Sequence, residues 1–418
     1  MRKLSLFFFA VLVVFSGFSQ DVDYARKIIS DLTSKQFHGR GYYMHGAKKS
    51  ARYLSNEFEK AGLKPAGESY LQPFSISINC ITGNPYLKVD GKNLDAGTEF
   101  LISRNAPATN GNFPVVVLNT EPIALDSLEI LARTKNLSGS FVVTANNDRE
   151  LMKTNILDAA GLIMLTQEDL WWHVSNGHTV MDIPVLKVRK AAMPANPEKV
   201  TIKIKNKFLK DYTTENVIGM VEGSKYPEKF VLITAHYDHL GRMGKKVFFP
   251  GAHDNASGTA MITDLARYFA DNPPEISVLF IAFSAEETGL EGSYYYSENP
   301  VVPLENTLFS LNLDIIGSGS TGIKVVNGKV LPDYFNILKR INTQNNYVKK
   351  VGKRGEAANS DHYHLYRMGV PAFFIYTTGD EYTEYHTVND KAEGLPLTAY
   401  DGLFRLVSDF ILEFPLKP

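Results

Sequence analysis

The sequence predicts a mixed α/β fold, in which a largely parallel central sheet is flanked by helices and a smaller, mostly β domain is inserted. From Asn216 onward, apolar strand-like runs alternate with helical patterns, which is typical of layered α/β folds. Residues 84–193 instead contain short apolar runs separated by Gly, Asn and Pro. Between Asp21 and about Gly67, apolar residues recur at helical spacing. Together these textures predict a helical lead-in, a β module and an α/β domain.

The first residues have the layout of a secretory signal peptide. Met1-Arg2-Lys3 precedes an apolar stretch from Leu4 to Phe15, and small and polar residues follow. The stretch is shorter than the ~20 residues that a membrane helix needs. The alternative, a buried N-terminal helix, is disfavoured because the stretch is apolar all round and has no amphipathic face. We therefore expect residues 1–19 to be removed on export to the periplasm or outside the cell, with no stable membrane insertion.

The rest of the chain divides into three predicted regions. Residues 20–83 form the helical lead-in, residues 84–205 the inserted β module, and residues 206–418 the α/β domain to which the lead-in belongs. The predicted strands and helix of the last region are Phe230 to Ala235, a helix from about Ser257 to Phe269, Ser277 to Phe283, Leu308 to Leu313 and Pro371 to Tyr376.

Charge and cysteine content limit the partners and the stabilisation. The 44 Lys and Arg residues nearly balance 45 acidic residues, for a net charge of -1, so no overall footprint for nucleic acid or an anionic membrane exists. Cys80 is the one cysteine of the sequence, which excludes an internal disulfide, and we expect it to be a small buried apolar residue.

Several side chains that can bind metal follow the predicted strands closely. In open α/β sheets, the carboxyl ends of the strands form the edge where ligands bind, so residues distant in sequence can converge there. The candidates are His236, Asp238, Asp254, Glu286, Glu287, Asp314 and His386.

Two imidazoles and several carboxylates suit zinc. Asp254 lies in the turn PGAHDNASG just before a helix and is the candidate bridge between two metal ions, where a shared water becomes a nucleophile near neutral pH. Asp238 follows His236 by two residues and is expected to accept a hydrogen bond from its ring.

Glu286 and Glu287 are expected to divide the work, because adjacent side chains cannot present the same geometry to one metal pair. We assign Glu287 to metal binding and Glu286 to proton transfer from the attacking water to the leaving amine. Taken singly, each candidate has a structural reading as a turn, cap or solvated residue. Their joint occurrence at successive strand ends favours a site.

The second half of the chain resembles the zinc aminopeptidases of metallopeptidase family twenty-eight, relatives of bacterial leucine aminopeptidases and of glutamate carboxypeptidase. The matching motifs, in order, are NVIGMVEG, ITAHYDHLG, PGAHDNASG, AFSAEETGLEGS, SLNLDIIG, NSDHYHL and EYHTVND. The segment FHGRGYYMHGAKKSARYLSNEFEKAGLKPAG is similar to the family's lead-in. Three stretches of the β module, GSFVVT, NILDAAGLIML and DIPVLKV, look like the protease-associated domain that many members insert.

The resemblance implies a role for each metal-binding candidate. His236 and Asp314 hold one zinc ion, Glu287 and His386 hold the other, Asp254 bridges them, and Glu286 is the general base. Four other histidines lie outside this ligand set. His253 is expected to be exposed rather than a hydrogen-bond donor behind the ligands, His362 to line the substrate pocket, and His239 and His364 to be structural or exposed.

The predicted function is that of an exported zinc exopeptidase, an aminopeptidase that cleaves N-terminal peptide bonds of peptide substrates with a metal-bridged water. Glutaminyl cyclase, which uses one zinc ion on the same scaffold, is the first alternative. A non-catalytic receptor-like domain is the second, although such domains are expected to lose ligands and none is lost here. Carboxypeptidase or dipeptidase specificity, the preferred side chain and the oligomeric state stay open, because the motifs define the chemistry and not the pocket.

Overall fold

The computed structural model describes residues 21–147, 155, 157–167 and 169–415. The predicted signal peptide, residues 1–19, lies outside the described residues. Among the helices that are described, none combines the length and the apolar character needed to cross a bilayer.

The helices are numbered in chain order. Helices α1 to α8 are Val22–Thr33, Gly46–Lys60, Leu125–Arg133, Ser257–Asp271, Glu291–Glu298, Pro332–Asn345, His362–Arg367 and Tyr400–Leu412. Strands β1 to β9 are Lys64–Pro65, Leu71–Val89, Lys92–Leu94, Phe100–Ile102, Thr109–Val117, Phe141–Thr144, Gly161–Thr166, Val185–Arg189 and Lys199–Val221. Strands β10 to β17 are Tyr226–His236, Arg242–Met243, Val247–Phe248, Ile276–Phe283, Thr307–Leu313, Gly322–Val326, Val351–Lys353 and Ala372–Thr378.

The central sheet is mixed and mostly parallel around its middle strand β10. β10 pairs in parallel with β13 on one side and β14 on the other, and β17 extends the sheet in parallel beyond β14. β13 also pairs antiparallel with β9, and β17 antiparallel with β15. The predicted fold class is confirmed, and the four strands predicted after residue 216 all form.

Helices cover both faces of this sheet. Val231, Ile233 and Ala235 of β10 belong to a core shared with α1, α2, α4, α6 and α8. The alternate residues Phe230 and Leu232 point into a smaller core with side chains of α5 and α7. A strand buried on both faces needs apolar residues at every position, which explains why β10 and β13 read as continuous apolar runs.

Two long antiparallel strands connect the central sheet to the β module. β2 pairs with β9 from Leu71↔Val217 to Val89↔Val200, and β9 continues the ladder to β5. Strands β5, β6, β7 and β8 are then parallel neighbours, with β4 at the edge. The module has one apolar core of its own and shares another with Leu240, Met243 and Phe249 of the α/β region.

The predicted domain limits do not coincide with the ends of helices and strands. The helical pattern ends with α2 at Lys60, and residues 71–83, which the predicted division counts with the helical lead-in, are strand. The limits at 84 and 205 fall inside β2 and β9, and they stay predictions. Cys80 is fully buried in β2, as expected.

Candidate metal centre

The predicted site residues lie at one edge of the sheet because their strands run in parallel. His236 is the last residue of β10, Asp314 follows β14 directly, and Glu286 and Glu287 lie in the loop after β13. His386 lies in the loop that follows β17. The carboxyl ends of parallel strands meet at a common edge, so these side chains are brought together from distant parts of the sequence.

His236 is surrounded by carboxylates. Its Nε2 atom lies 3.3 Å from Asp314 Oδ1 and 3.3 Å from Asp254 Oδ1. Glu286 Oε2 is 3.9 Å from the same nitrogen. This first group therefore gathers one imidazole and three carboxylates around one point.

A second group lies on the other side of Asp254. The Oδ2 atom of Asp254 is 2.9 Å from His386 Nε2, and His386 Nε2 lies 3.2 Å from Glu287 Oε2. The other oxygen of Glu287 is 2.7 Å from His239 Nδ1. The two carboxylate oxygens of Asp254 thus face two different imidazoles.

The donor set fits divalent cations. Two triads, His236-Glu286-Asp314 and His239-Asp254-Glu287, each have potential ligand atoms within 4.8 Å of one another. Buried carboxylates are costly unless they are paired or coordinate a metal. Burial acts to lower the pKa of His236, yet Asp314 and Glu286 hold it well above its usual value, and Glu287 and Asp254 do the same for His386. The cavity therefore stabilises positive charge.

Asp314 is oriented by a chain of hydrogen bonds across neighbouring strands. Ser360 Oγ donates to Asp314 Oδ2 at 2.7 Å and accepts from Asn312 Nδ2 at 2.8 Å. Asn312 Oδ1 accepts from Thr234 Oγ1 at 2.8 Å. All these groups are buried, so the other oxygen of Asp314 is left to face His236.

The turn that carries Asp254 is held from two sides. Asp390 accepts the backbone N–H of His253 at 2.8 Å and that of Asp254 at 3.1 Å. The fully buried Arg40 donates to the carbonyls of Pro250 at 2.6 Å and Gly251 at 2.7 Å. Neither Arg40 nor Asp390 was assigned a role from the sequence, although Arg40 lies in the quoted lead-in segment that begins FHGR and Asp390 in the motif EYHTVND.

Gly251 is required by the same turn. Its φ is +67°, a conformation that side chains rarely adopt, and a Cβ atom there would lie 2.4 Å from the carbonyl oxygen of Asp254. Gly251, the first glycine of the PGAHDNASG motif, therefore permits the backbone to close tightly around the proposed bridge, Asp254.

Asp238 contacts His236 as expected, but through its backbone carbonyl and not through its carboxylate. His236 Nδ1 lies 3.2 Å from the backbone carbonyl of Asp238 and 3.7 Å from its carboxylate, so the carbonyl accepts the ring N–H. The Asp238 carboxylate instead accepts the backbone N–H of Glu286 at 3.1 Å and the hydroxyl of Tyr42 at 3.2 Å. Asp238 therefore presents Nε2 of His236 to the cavity through its backbone and anchors the Glu286 loop through its side chain.

The two adjacent glutamates point to different groups, as the predicted division of labour requires. Glu287 faces His386 and His239, whereas Glu286 faces His236 and keeps 14% of its side chain exposed. Burial raises the pKa of Glu286 well above its usual value; His236 opposes this rise, and Glu287 and Asp314 add to it. Glu286 is thus the partly accessible carboxyl of the cluster with the stronger preference for a proton.

The prediction that His253 is exposed was wrong. His253 is 6% exposed rather than on the surface, and its Nδ1 accepts the backbone N–H of Gly317 at 3.0 Å. His239 is a direct neighbour of Glu287 and belongs to the second group. Both His239 and His253 are buried in turns beside the strands. The usual exposure of histidine side chains did not predict this burial.

Ser360, Asp361 and His362 bring further polar groups to this end of the sheet. Among the described residues, neither carboxylate oxygen of the buried Asp361 and neither ring nitrogen of the buried His362 has a hydrogen-bond partner. Burial raises the pKa of Asp361 to about 7, with His236 acting to lower it. The prediction that His362 lines the substrate pocket is untested, and His364 is half-buried beside Tyr294. Asp361 was missed, although it lies in the quoted motif NSDHYHL.

The part of the chain that contains this centre is similar to a known family. Residues 216–411 match the family described as Peptidase family M28. This segment belongs to peptidase family M28. The match begins in β9 and ends in α8, so the M28 segment includes both groups of the candidate metal centre.

A curated protein is similar to this chain in sequence, and solved structures are similar to it in fold. Aminopeptidase YwaD of Bacillus subtilis (strain 168) is 32% identical over 232 residues, which are 50% of this chain and 47% of that protein. The alignment thus spans about half the length of that curated relative. Among solved structures, BSAP, a zinc aminopeptidase from Bacillus subtilis, has a TM-score of 0.72 at 21% identity and covers 95% of this chain and 96% of its own. A glutaminyl cyclase from Bacteroides thetaiotaomicron has a TM-score of 0.52 at 15% identity, over 95% of this chain and 99% of its own.

Proposed function

We propose that this chain is a zinc-dependent exopeptidase, specifically an aminopeptidase that removes N-terminal residues from peptides with a pair of zinc ions. The observation that carries the proposal is the placement of Asp254. Its Oδ1 is 3.3 Å from His236 and its Oδ2 is 2.9 Å from His386, which is what a carboxylate shared by two cations requires. Family membership and the names of the relatives support peptidase chemistry.

The proposed ligands divide as the two groups do. His236 and Asp314 would hold one zinc ion, Glu287 and His386 the other, and Asp254 both. When bound, zinc supplies Lewis acidity that polarises the scissile carbonyl and makes the attacking water more acidic. His239 then serves as a hydrogen-bond donor that orients Glu287, since a partner behind a carboxylate ligand fixes its geometry.

The chain's own residues move the proton and position the groups. Glu286 accepts the proton of the attacking water and gives it to the leaving amine, because it is the partly accessible carboxyl that faces the first group. The Asp238 carboxylate accepts the backbone N–H of Glu286, and this bond keeps the Glu286 carboxyl close to His236. Ser360 holds Asp314 in the same way.

The proposal is tested by comparing a leucyl chromogenic amide that has a free amine with its N-acetylated twin. We expect cleavage of the free-amine substrate alone, its loss after chelation and its return when zinc is added. Cleavage of the acetylated twin at an equal rate would contradict an aminopeptidase. Chelator-resistant cleavage would contradict the role of zinc.

Glutaminyl cyclase is the competing function, because one member of that class shares the fold. The complete second group and the shared Asp254 favour the peptidase. Zinc counting in the purified protein and conversion of an N-terminal glutaminyl peptide to its pyroglutamyl form separate the two: one ion with cyclisation would favour the cyclase, and two ions with release of free amino acid favour the peptidase.

We propose in addition that the protein is exported, since residues 1–19 carry the signal-peptide layout. N-terminal sequencing of the protein made in its own host is expected to show a mature chain that begins near Gln20. Recovery of the intact chain from the cytoplasmic fraction would contradict export.

A further inference from the structure

A loop of the inserted module reaches the candidate metal centre. This segment, residues 171–178, is called the cleft loop and lies between β7 and β8. The backbone N–H of Trp172 donates to the carbonyl of His386 at 3.1 Å. The loop therefore touches one of the proposed zinc ligands through a direct backbone bond.

Trp172 fixes the cleft loop between the module and the α/β domain. This side chain is 2% exposed, and its ring stacks on Phe249 with centroids 4.7 Å apart. Its Nε1 donates to the carbonyl of Ile102 at 2.7 Å. A buried indole with a satisfied N–H and a stacked partner is a rigid anchor, so the residues on either side of Trp172 have defined positions.

A second attachment lies at the end of the cleft loop. His178 Nε2 is 2.6 Å from the carbonyl of Thr288, the residue after Glu287, and its Nδ1 is 3.0 Å from the carbonyl of Ser77. The cleft loop is thus bonded beside two proposed ligands of the second zinc ion, His386 and Glu287.

The side chains on either side of Trp172 extend an aromatic wall from the metal centre outward. The ring of His173 lies 5.1 Å from that of His386. Tyr385 stacks on His386 with centroids 3.9 Å apart, and Trp171 meets Tyr385 edge-on at 5.8 Å. Trp171 is 47% exposed, so a large apolar surface faces solvent beside the centre.

This wall borders a cavity of about 440 Å³. Its apolar lining consists of Leu101, Ile102, Trp171, Trp172 and Val185, and His173 is the lining residue that also contacts His386. The cavity has ample room for a leucine or phenylalanine side chain. The rest of the lining is polar and consists of Ser103, Asn105, Ser175, Asn176 and Lys187. The apolar surface that includes Trp171 favours contact with an apolar side chain.

We propose that the cleft loop forms one wall of the substrate site, and that Trp171 and His173 bind an apolar side chain that flanks the scissile bond. The inserted module is then part of the specificity machinery and not only an appendage. The inference rests on the proposed aminopeptidase function and adds to it the class of residue that the enzyme prefers. It also explains why a half-exposed tryptophan stands next to a catalytic centre.

The test is the substitution Trp171→Ala, with Ile130→Ala as its matched control. Ile130 is 66% exposed on α3 of the same module, so both changes remove a large exposed apolar side chain. kcat/KM is measured for leucyl, phenylalanyl and alanyl chromogenic amides, and for alanyl dipeptides with leucine or alanine as the second residue. Zinc content is measured for every variant. Trp171→Phe serves as the conservative rescue.

We expect Trp171→Ala to lower kcat/KM by about tenfold for substrates with a leucyl or phenylalanyl side chain, with a much smaller effect on the all-alanine substrates. Zinc content should be unchanged, and Trp171→Phe should recover most of the loss. Loss confined to the first residue or to the second would assign the cavity to that side of the scissile bond, and either supports the proposal. An equal loss for all substrates, or none, would overturn it.

Calorimetric binding of free leucine and alanine separates this inference from the proposed function. If the wild-type protein cleaves none of the amides, the aminopeptidase assignment fails. The cleft loop is then judged by whether Trp171→Ala weakens the binding of leucine more than that of alanine; equal affinities for the two in the wild-type protein would overturn it.

Discussion

Asp390 holds Asp254 by its backbone: Oδ2 of Asp390 accepts the Asp254 N–H at 3.1 Å while Oδ1 accepts the preceding N–H of His253. The bond joins the loop that carries His386 to the turn that carries the proposed bridge. In the variant Asp390→Asn, one of the two acceptors becomes an NH₂ group that faces a backbone N–H. We expect zinc affinity to fall by about 10- to 100-fold, the range for groups that support metal ligands. Competition with a chromogenic chelator measures it.

The control for this variant is Asp401→Asn, since Asp401 is half-exposed and pairs only with Arg405 at 3.1 Å among the contacts described. It should leave zinc affinity unchanged. If Asp390→Asn bound zinc as tightly as the wild-type protein, the backbone bonds would have no role in holding the bridge. Melting curves at saturating zinc distinguish a local loss of affinity from a general loss of folding.

Glu286→Gln should lower kcat by about 10²- to 10⁴-fold, because glutamine cannot accept the proton of the attacking water. Since Glu286 is outside the proposed ligand set, zinc content should be kept. Steady-state kinetics and metal analysis of the same preparation check both statements. Glu298→Gln, an exposed change on helix α5, is the control and should be as active as the wild type. Near-normal turnover of Glu286→Gln would assign the proton transfer to another group.

Zinc stoichiometry distinguishes the bridge from the terminal ligands. Asp254→Ala removes a ligand from both groups and should lower the affinity for both zinc ions. Asp314→Ala or His386→Ala should release one zinc ion and leave the other bound. His239→Ala should retain both ions at saturating zinc, because His239 is assigned to orient Glu287. Retention of both ions by Asp254→Ala would exclude the bridging role, and loss of one ion from His239→Ala would make His239 a ligand.

The sequence was sufficient for the four strands predicted after residue 216 and for most of the cluster because both are signalled locally. Apolar runs mark β10, β13, β14 and β17, and metal-binding side chains follow the ends of these runs. Parallel pairing then dictates that the ends meet. The residues that fix the ligands carry no such signal. Arg40 precedes Pro250 by 210 positions, so its bond to that carbonyl depends on how the lead-in folds back over the sheet.

The contact between the inserted module and the metal centre could not be predicted from the sequence either. The structure buries Trp172 and exposes Trp171, and nothing local in the sequence indicates that their loop meets His386 more than 200 positions later. The pairing of β2 with β9 fixes the module against the central domain and decides this contact. Residues 71–83 were assigned to the helical lead-in although Phe74, Ile76 and Ile78 are buried alternately, as in a strand; this alternation ends at Ile78, and residues 78–81 are all buried.

Asp264, on helix α4, predicts how the stability of the fold depends on pH. Its side chain is 4% exposed, and its Oδ2 accepts two long hydrogen bonds of 3.4 Å, from the backbone of Asp21 and from the hydroxyl of Tyr400. Burial raises its pKa to about 7. In the unfolded chain an aspartate titrates near ~3.9. The folded state therefore keeps a proton that the unfolded state releases, so the stabilising contribution is complete below about pH 4 and is lost as the pH rises through about 7.

Asp264→Asn removes this dependence, because the amide stays neutral and its oxygen can accept both hydrogen bonds. The variant should match the wild-type protein near pH 4 and be more stable at pH 8, by on the order of 4 kcal/mol if the full difference in pKa is expressed. Urea unfolding of the chelated proteins at several pH values measures the difference. Asp271→Asn, at the exposed end of the same helix, is the control and should show no growing difference with pH. Equal unfolding free energies of Asp264→Asn and the wild type at pH 8 would mean that water reaches the Asp264 carboxylate in the folded protein.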